Sequence, residues 1–126
     1  MDLYKLLAVG GGGMLGSISR YISVRFIDGR VNSIIPYGTL CVNLLGSFIL
    51  GVLYGAVSRN VAITENWKIF LGAGFCGGFT TFSAFALENF NFLEKKLYGP
   101  TLMYISISLV GGIVALAAGT RLGRFL

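Results

Sequence analysis

The chain has 126 residues, 55% of them hydrophobic and 12% charged, with a mean hydropathy of +0.78, 19 glycines and no histidine. A soluble core of this length does not carry that balance, whereas one small membrane domain, residues 1–126, does. The formal charge is +5, but the ten Lys and Arg sit at the edges of apolar runs rather than in a stripe, which sets nucleic acid aside and points to headgroups and topology signals.

Four segments are long enough to cross a hydrocarbon core of about 30 Å, which takes roughly 20 helical residues. The first, Leu3 to Phe26, has Asp2 near its start, four consecutive glycines and Arg20, so it reads as mature protein and not as a cleaved leader. The second, Ser33 to Ser58, places Thr39, Asn43 and Ser47 at i, i+4 and i+8, along one helix face. Hydroxyls in membrane helices commonly bond their own i−4 carbonyl, but the Asn43 amide brings two N–H donors that need partners. The third, Trp67 to Phe92, is apolar yet has Gly77, Gly78, Thr80 and Thr81 at its middle, all weak helix formers. The fourth, Gly99 to Thr120, carries Tyr104 and Ser108 on one face with Gly112 a turn further on. Cys41 and Cys76 lie inside apolar stretches and read as small hydrophobes, not as a disulfide or metal ligands.

The third segment is therefore a membrane helix expected to break. Unpaired backbone costs several kcal/mol per group in hydrocarbon, so unwound chain persists at membrane depth only where it is buried in protein or lines a polar passage. The break points to an ion or solute site. Phe82 and Phe85 follow it at a three-residue spacing that places both rings on one face; such rings are usually packing or lipid-facing residues. Beside Asn43 they have another use, because ring edges are positive and, with amide and hydroxyl donors, hold an anion without a fixed charge that would trap it. Carbonyls freed between Gly77 and Thr80 suit a small hard cation such as Na⁺, and two antiparallel copies meeting at the break would double their number. Arg20 and Glu88 are the ionisable residues nearest membrane depth; Arg20 would add positive potential to an anion path, and Glu88 reads equally as a mouth residue or a structural partner.

The connectors, Ile27 to Asn32, Arg59 to Asn66 and Leu93 to Tyr98, are short, so both termini share one side and loop charges set orientation. That side holds Lys5, Arg59, Lys68, Arg121 and Arg124; the other holds Arg25, Arg30, Lys95 and Lys96, with Arg20 if it snorkels that way. The tie predicts insertion in both orientations and pairing of opposed copies about an axis in the membrane plane; a weak bias or a partner that fixes one orientation is the alternative. Gly12 and Gly16, Gly51 and Gly55, Gly74 and Gly78, and Gly111, Ala115 and Gly119 repeat the spacing that lets helix backbones approach, either within one subunit or at a dimer seam.

The run Gly-Phe-Cys-Gly-Gly-Phe-Thr-Thr-Phe-Ser-Ala-Phe at 74 to 85, with Gly38-Thr39-Leu40-Cys41-Val42-Asn43-Leu44-Leu45-Gly46 and Gly16-Ser17-Ile18-Ser19-Arg20-Tyr21, resembles the CrcB/Fluc fluoride channels of bacteria over essentially the whole chain. The resemblance implies an all-α membrane protein of four transmembrane helices with a broken third helix, assembled as an antiparallel dual-topology homodimer in the bacterial cell membrane. It implies that Asn43, Phe82 and Phe85 contact fluoride, that Thr39, Ser83, Tyr104 and Ser108 form a polar track beside the rings, and that Arg20 lies near an aqueous entrance. Backbone carbonyls of Gly77 and Thr80 would hold a structural Na⁺. Ala84 and Gly112 depart from the family pattern, which bears on details of the track.

The implied activity is passive and non-enzymatic: fluoride that enters as its neutral acid ionises inside, and the membrane potential drives the anion out. A small four-helix multidrug exporter shares the length and dual insertion, but needs an embedded carboxylate, and the chain has none between Asp2 and Asp28. A small lipid kinase would need clustered acid and base groups, and the five acidic residues are dispersed.

Overall fold

A computed structural model describes residues 1–59 and 62–126, and the fold among them is all helical. The order is α1 (Leu3–Asp28), α2 (Tyr37–Ser58), α3 (Glu65–Ile69), a π-helical stretch (Phe70–Cys76), α4 (Gly77–Phe79), α5 (Phe82–Glu94) and α6 (Tyr98–Gly123). Part of the connector read as Arg59 to Asn66, namely Asn60 and Val61, lies outside the described residues.

Each boundary has a local cause. Asp2 accepts the Tyr4 N–H at 3.0 Å and starts α1. The second segment begins as a helix at Tyr37, four residues later than Ser33, because Pro36 disfavours helical backbone at Ile35. Its start is tied back to α1, with the Gly38 N–H donating to Asp28 Oδ1 at 2.9 Å. Thr64 caps α3 by accepting the Trp67 N–H. At the end of α5, Lys96 takes the left-handed conformation (φ 57°) while the Leu97 N–H reaches the Phe92 carbonyl at 2.8 Å and the Lys96 N–H reaches that of Leu93 at 3.0 Å, a helix stop usually given to glycine.

Among the described residues, three helical stretches are long and apolar enough to cross a membrane: Tyr37–Ser58, the broken stretch Glu65–Glu94, and Tyr98–Gly123. The chain is a multi-pass membrane protein. The first helix, expected to be a fourth span, is long enough at 26 residues, but its five glycines, three serines, Arg20 and Arg25 keep it below the apolarity of the others.

Two glycine seams hold the subunit together. Along α2 and α6, an added Cβ at Gly51 would meet the Leu116 carbonyl and Thr120 N–H, and one at Gly55 would meet the Thr120 carbonyl. From the other side, Gly119 faces the backbone of Phe48 and Val52, and Gly123 that of Val52 and Ala56. The numbers rise together, so the two helices run parallel. Along α1, Gly12 and Gly16 face the backbone from Phe70 to Phe79, while Gly74 and Gly78 face that of Val9, Gly12, Gly13 and Ser17, again in parallel. The small-residue pairs thus act inside one subunit, and backbone contact takes the place of large interdigitating side chains.

These contacts predict that Gly119→Ala costs about 1–3 kcal/mol, since the clash is with backbone that cannot rotate away. Gly99→Ala, where nothing lies within 4 Å, is neutral or slightly stabilising. Thermal unfolding of the two variants in detergent measures the difference.

Candidate functional site

The site forms where the third segment breaks. Sequence places the break at Gly77 to Thr80; in the structure Gly77, Gly78 and Phe79 stay helical and the extended residues are Thr80 (φ −89°, ψ 158°) and Thr81 (φ −149°, ψ 116°). The physical reason is side-chain chemistry. β-Branched threonines accept extended backbone readily, and each hydroxyl satisfies a helix end: Thr80 Oγ1 donates to the Cys76 carbonyl at 2.9 Å, and Thr81 Oγ1 accepts the Ala84 N–H at 3.1 Å, restarting the helix as α5. Gly74 and Gly78 are needed instead for the approach of α1.

Asn43 holds the break from α2. Its Oδ1 accepts the Thr81 N–H at 2.7 Å, in place of the Gly77 carbonyl that an unbroken helix would offer, and its Nδ2 donates to the Thr81 carbonyl at 3.1 Å. One N–H of the Asn43 amide remains to offer. On the opposite flank Arg20 Nε donates to the Gly78 carbonyl at 2.9 Å.

An open groove of about 340 Å³ lies at this clamp, lined by Asn43, Ser47, Thr80, Thr81, Phe82, Phe85 and Ser108 together with Gly46, Leu50, Gly72, Cys76, Gly77 and Leu109. None of these lining residues is charged. The Phe82 and Phe85 rings are 5.7 Å apart between centroids and tilted by 48°, with Phe85 buried and Phe82 78% exposed. Ser108 Oγ is buried and makes no hydrogen bond among the described residues, so a donor stands ready at the groove wall.

Of the residues singled out in the sequence, the groove gathers Asn43, Phe82, Phe85, Ser108, Gly77 and Thr80. Thr39 and Tyr104 lie alongside it, not on it. Thr39 Oγ1 donates to Glu88 Oε2 at 2.7 Å and Tyr104 OH donates to Glu88 Oε1 at 2.8 Å, so both nearly fully buried hydroxyls are committed to that carboxylate. Tyr104 also packs on Phe85, with centroids 5.2 Å apart. Glu88 is thus a structural partner, though for two hydroxyls and not for a Lys or Arg. Ser83 stands on the first turn of α5, its Oγ 3.2 Å from Thr81 Oγ1. Arg20 is on the α1 side, away from the lining.

Sequence reasoning missed three features. The π-helical stretch has no signature in a run of small and apolar residues, although such widened turns cluster at functional sites. Thr81 as a helix cap was readable from a hydroxyl residue ahead of an apolar run. Asn89, buried on α5, donates to the Phe85 carbonyl at 2.9 Å while its Oδ1 has no partner among the described residues.

The carbonyls of the break also test the expected cation site. In an unbroken helix Gly77 would accept from the Thr81 N–H and Thr80 from the Ala84 N–H. Asn43 and the Thr81 hydroxyl take those two donors, and so the Gly77 and Thr80 carbonyls are the ones left without them. Hard oxygen donors of this kind fit Na⁺.

Comparison with known proteins assigns the chain to a family. The family model described as CrcB-like protein, Camphor Resistance (CrcB), matches residues 7–120. A fluoride-specific ion channel FluC of Leptospira interrogans is 45% identical over 115 residues, 91% of each chain. Proteins of the same name from Azobacteroides pseudotrichonymphae and Caulobacter sp. strain K31 are 43% identical over 123 residues (98% of each chain) and 40% identical over 121 residues (95% of this chain, 94% of the relative). With similarity running unbroken from within α1 to within α6, the chain belongs to the CrcB family.

Proposed function

We propose that the protein is a fluoride-selective channel that works as an antiparallel, dual-topology homodimer in the bacterial cell membrane and lets fluoride leave the cell passively. The observation that carries this reading is the groove at the break, lined by an amide N–H, an unpartnered hydroxyl and two phenyl rings but by no charged side chain. Ring edges and hydrogen-bond donors replace part of the water around a small anion, and without a fixed cation they release it again. The relatives named fluoride-specific ion channels support the choice of halide. No bond is made or broken in such a passage, so the protein acts as a channel and not as an enzyme.

Asn43 and Ser108 would donate to fluoride, and Phe82 and Phe85 would present ring edges to it. Thr39 and Tyr104, tied to Glu88, would shape the wall behind Phe85, and Ser83 would extend the hydroxyl line from Thr81. Arg20 adds positive potential from the far flank. An inside-negative potential, worth about 2.3 kcal/mol per charge per 100 mV, drives the anion outward, and fluoride is replenished inside when its neutral acid enters and ionises.

Polar groups in a groove left open to lipid are unfavourable, and the Phe82 ring on its lining is largely exposed; a second copy, inverted about the break, would cover both. The near-equal loop charges support that pairing, with the first helix completing four spans in each copy. Two copies would bring the Gly77 and Thr80 carbonyls together around a structural Na⁺, which would fix the two breaks against each other.

Purified protein in liposomes should pass fluoride and retain chloride with no proton gradient; gradient-driven export of an organic cation, the behaviour of a small multidrug exporter, would overturn the reading. Phe82→Ile should lower fluoride flux by about tenfold, the rate equivalent of a contact of ~1.4 kcal/mol, with the assembly intact by size-exclusion chromatography. For the pairing, in a background with Cys41 and Cys76 replaced by alanine, Ser83→Cys near the break should crosslink to its own copy in the partner. Gly99→Cys at a span end should not, and self-crosslinking there would show parallel copies.

A further inference from the structure

Arg20 stands one turn beyond Gly16, where α1 meets α4, and its Nε donates to the Gly78 carbonyl at 2.9 Å. Among the described residues the one ion pair is Lys68 with Glu65, so no carboxylate neutralises the guanidinium. What faces it is the end of a helical stretch. The turn from Gly77 to Phe79 stops at the break, and its last carbonyls carry the partial negative charge of a helix C-terminus.

The carbonyls of the break are shared out residue by residue. Cys76 accepts both the N–H and the hydroxyl of Thr80, Gly78 accepts Arg20, and Thr81 accepts Asn43. Gly77, Phe79 and Thr80 are left without their helical donors. Arg20 therefore occupies one oxygen that lies between the two proposed above for a cation, and brings a full positive charge to the same helix end.

We infer that Arg20 is a positioning residue that limits how strongly the break binds an external cation: it is a resident cation that keeps the broken end capped when Na⁺ is scarce. The inference rests on the reading of Gly77 and Thr80 as Na⁺ ligands. Two effects act in one direction. A like charge at the same helix end disfavours Na⁺, and a carbonyl engaged by a guanidinium is withdrawn from a cation that takes several oxygen ligands. Removing Arg20 weakens the break in the absence of Na⁺ and raises its affinity for Na⁺.

The test is thermal unfolding of the purified full chain in its native assembly, with Na⁺ titrated against K⁺ at constant ionic strength. A cation that binds the folded state alone raises Tm once its concentration exceeds its dissociation constant, and by more the tighter it binds. Arg20→Met should have a lower Tm than wild type in K⁺, and the Na⁺ concentration at which Tm begins to rise should fall on the order of tenfold. Arg20→Lys, which keeps a charge and a donor, should respond as wild type does. An Arg20→Met response to Na⁺ equal to or weaker than that of wild type overturns the inference. A wild type with no Na⁺-specific stabilisation sinks the reading of the Gly77 and Thr80 carbonyls instead, and the inference falls with it. Should Arg20→Met fail to fold, Arg20→Gln, which keeps a donor for Gly78 without the charge, carries the same comparison.

Discussion

One side-chain amide decides whether this fold can exist. A transmembrane helix interrupted at its centre exposes peptide groups that hydrocarbon cannot satisfy, and the protein meets that demand at Thr81 with the two faces of Asn43. The amide accepts the Thr81 N–H at 2.7 Å and donates to the Thr81 carbonyl at 3.1 Å, so it pins the break to α2. With the Thr81 hydroxyl, which takes the Ala84 N–H and restarts the helix as α5, this exchange leaves the Gly77 and Thr80 carbonyls without their helical donors beside the Phe82 and Phe85 rings.

The rest of the molecule is arranged so that the break is supported from both flanks. The α1 seam holds the turn before it, through Gly12, Gly16, Gly74 and Gly78, and adds the Arg20 cap. The α2 and α6 seam carries the polar residues that face the turn after it. Thr39 and Tyr104 reach Glu88 from these two helices, so the carboxylate ties α5 to both at once. Buried polarity gathers at the break and at the Glu88 carboxylate, and many large apolar side chains face outward.

Much of this was legible in the sequence because its strongest signals are local. Hydrophobic runs marked the helices, the i, i+4, i+8 spacing put Thr39, Asn43 and Ser47 on one face, and weak helix formers marked the interruption. Their partners were not legible, since which residue lies across from Asn43 or Thr39 depends on how separate segments meet. The position of the break shifted for the same reason. Gly77 and Gly78 look like the weakest point in isolation, but Gly78 stays helical where α1 presses against it, and the extension falls to Thr80 and Thr81, whose hydroxyls can cap both ends. The start of the second helix moved through a local rule, the exclusion of helix ahead of Pro36.

The glycine seams also determine how the protein responds to heat. Its helices meet through bare backbone, and bulky apolar groups such as Leu109, Ile113 and Phe90 already face outward. Separating the helices inside a bilayer therefore transfers little apolar surface into water, and the heat-capacity increment that curves the stability of soluble proteins is small. Stability should decline almost linearly on warming, with no cold-side maximum, because what is lost is close contact and polar pairing rather than release of ordered water.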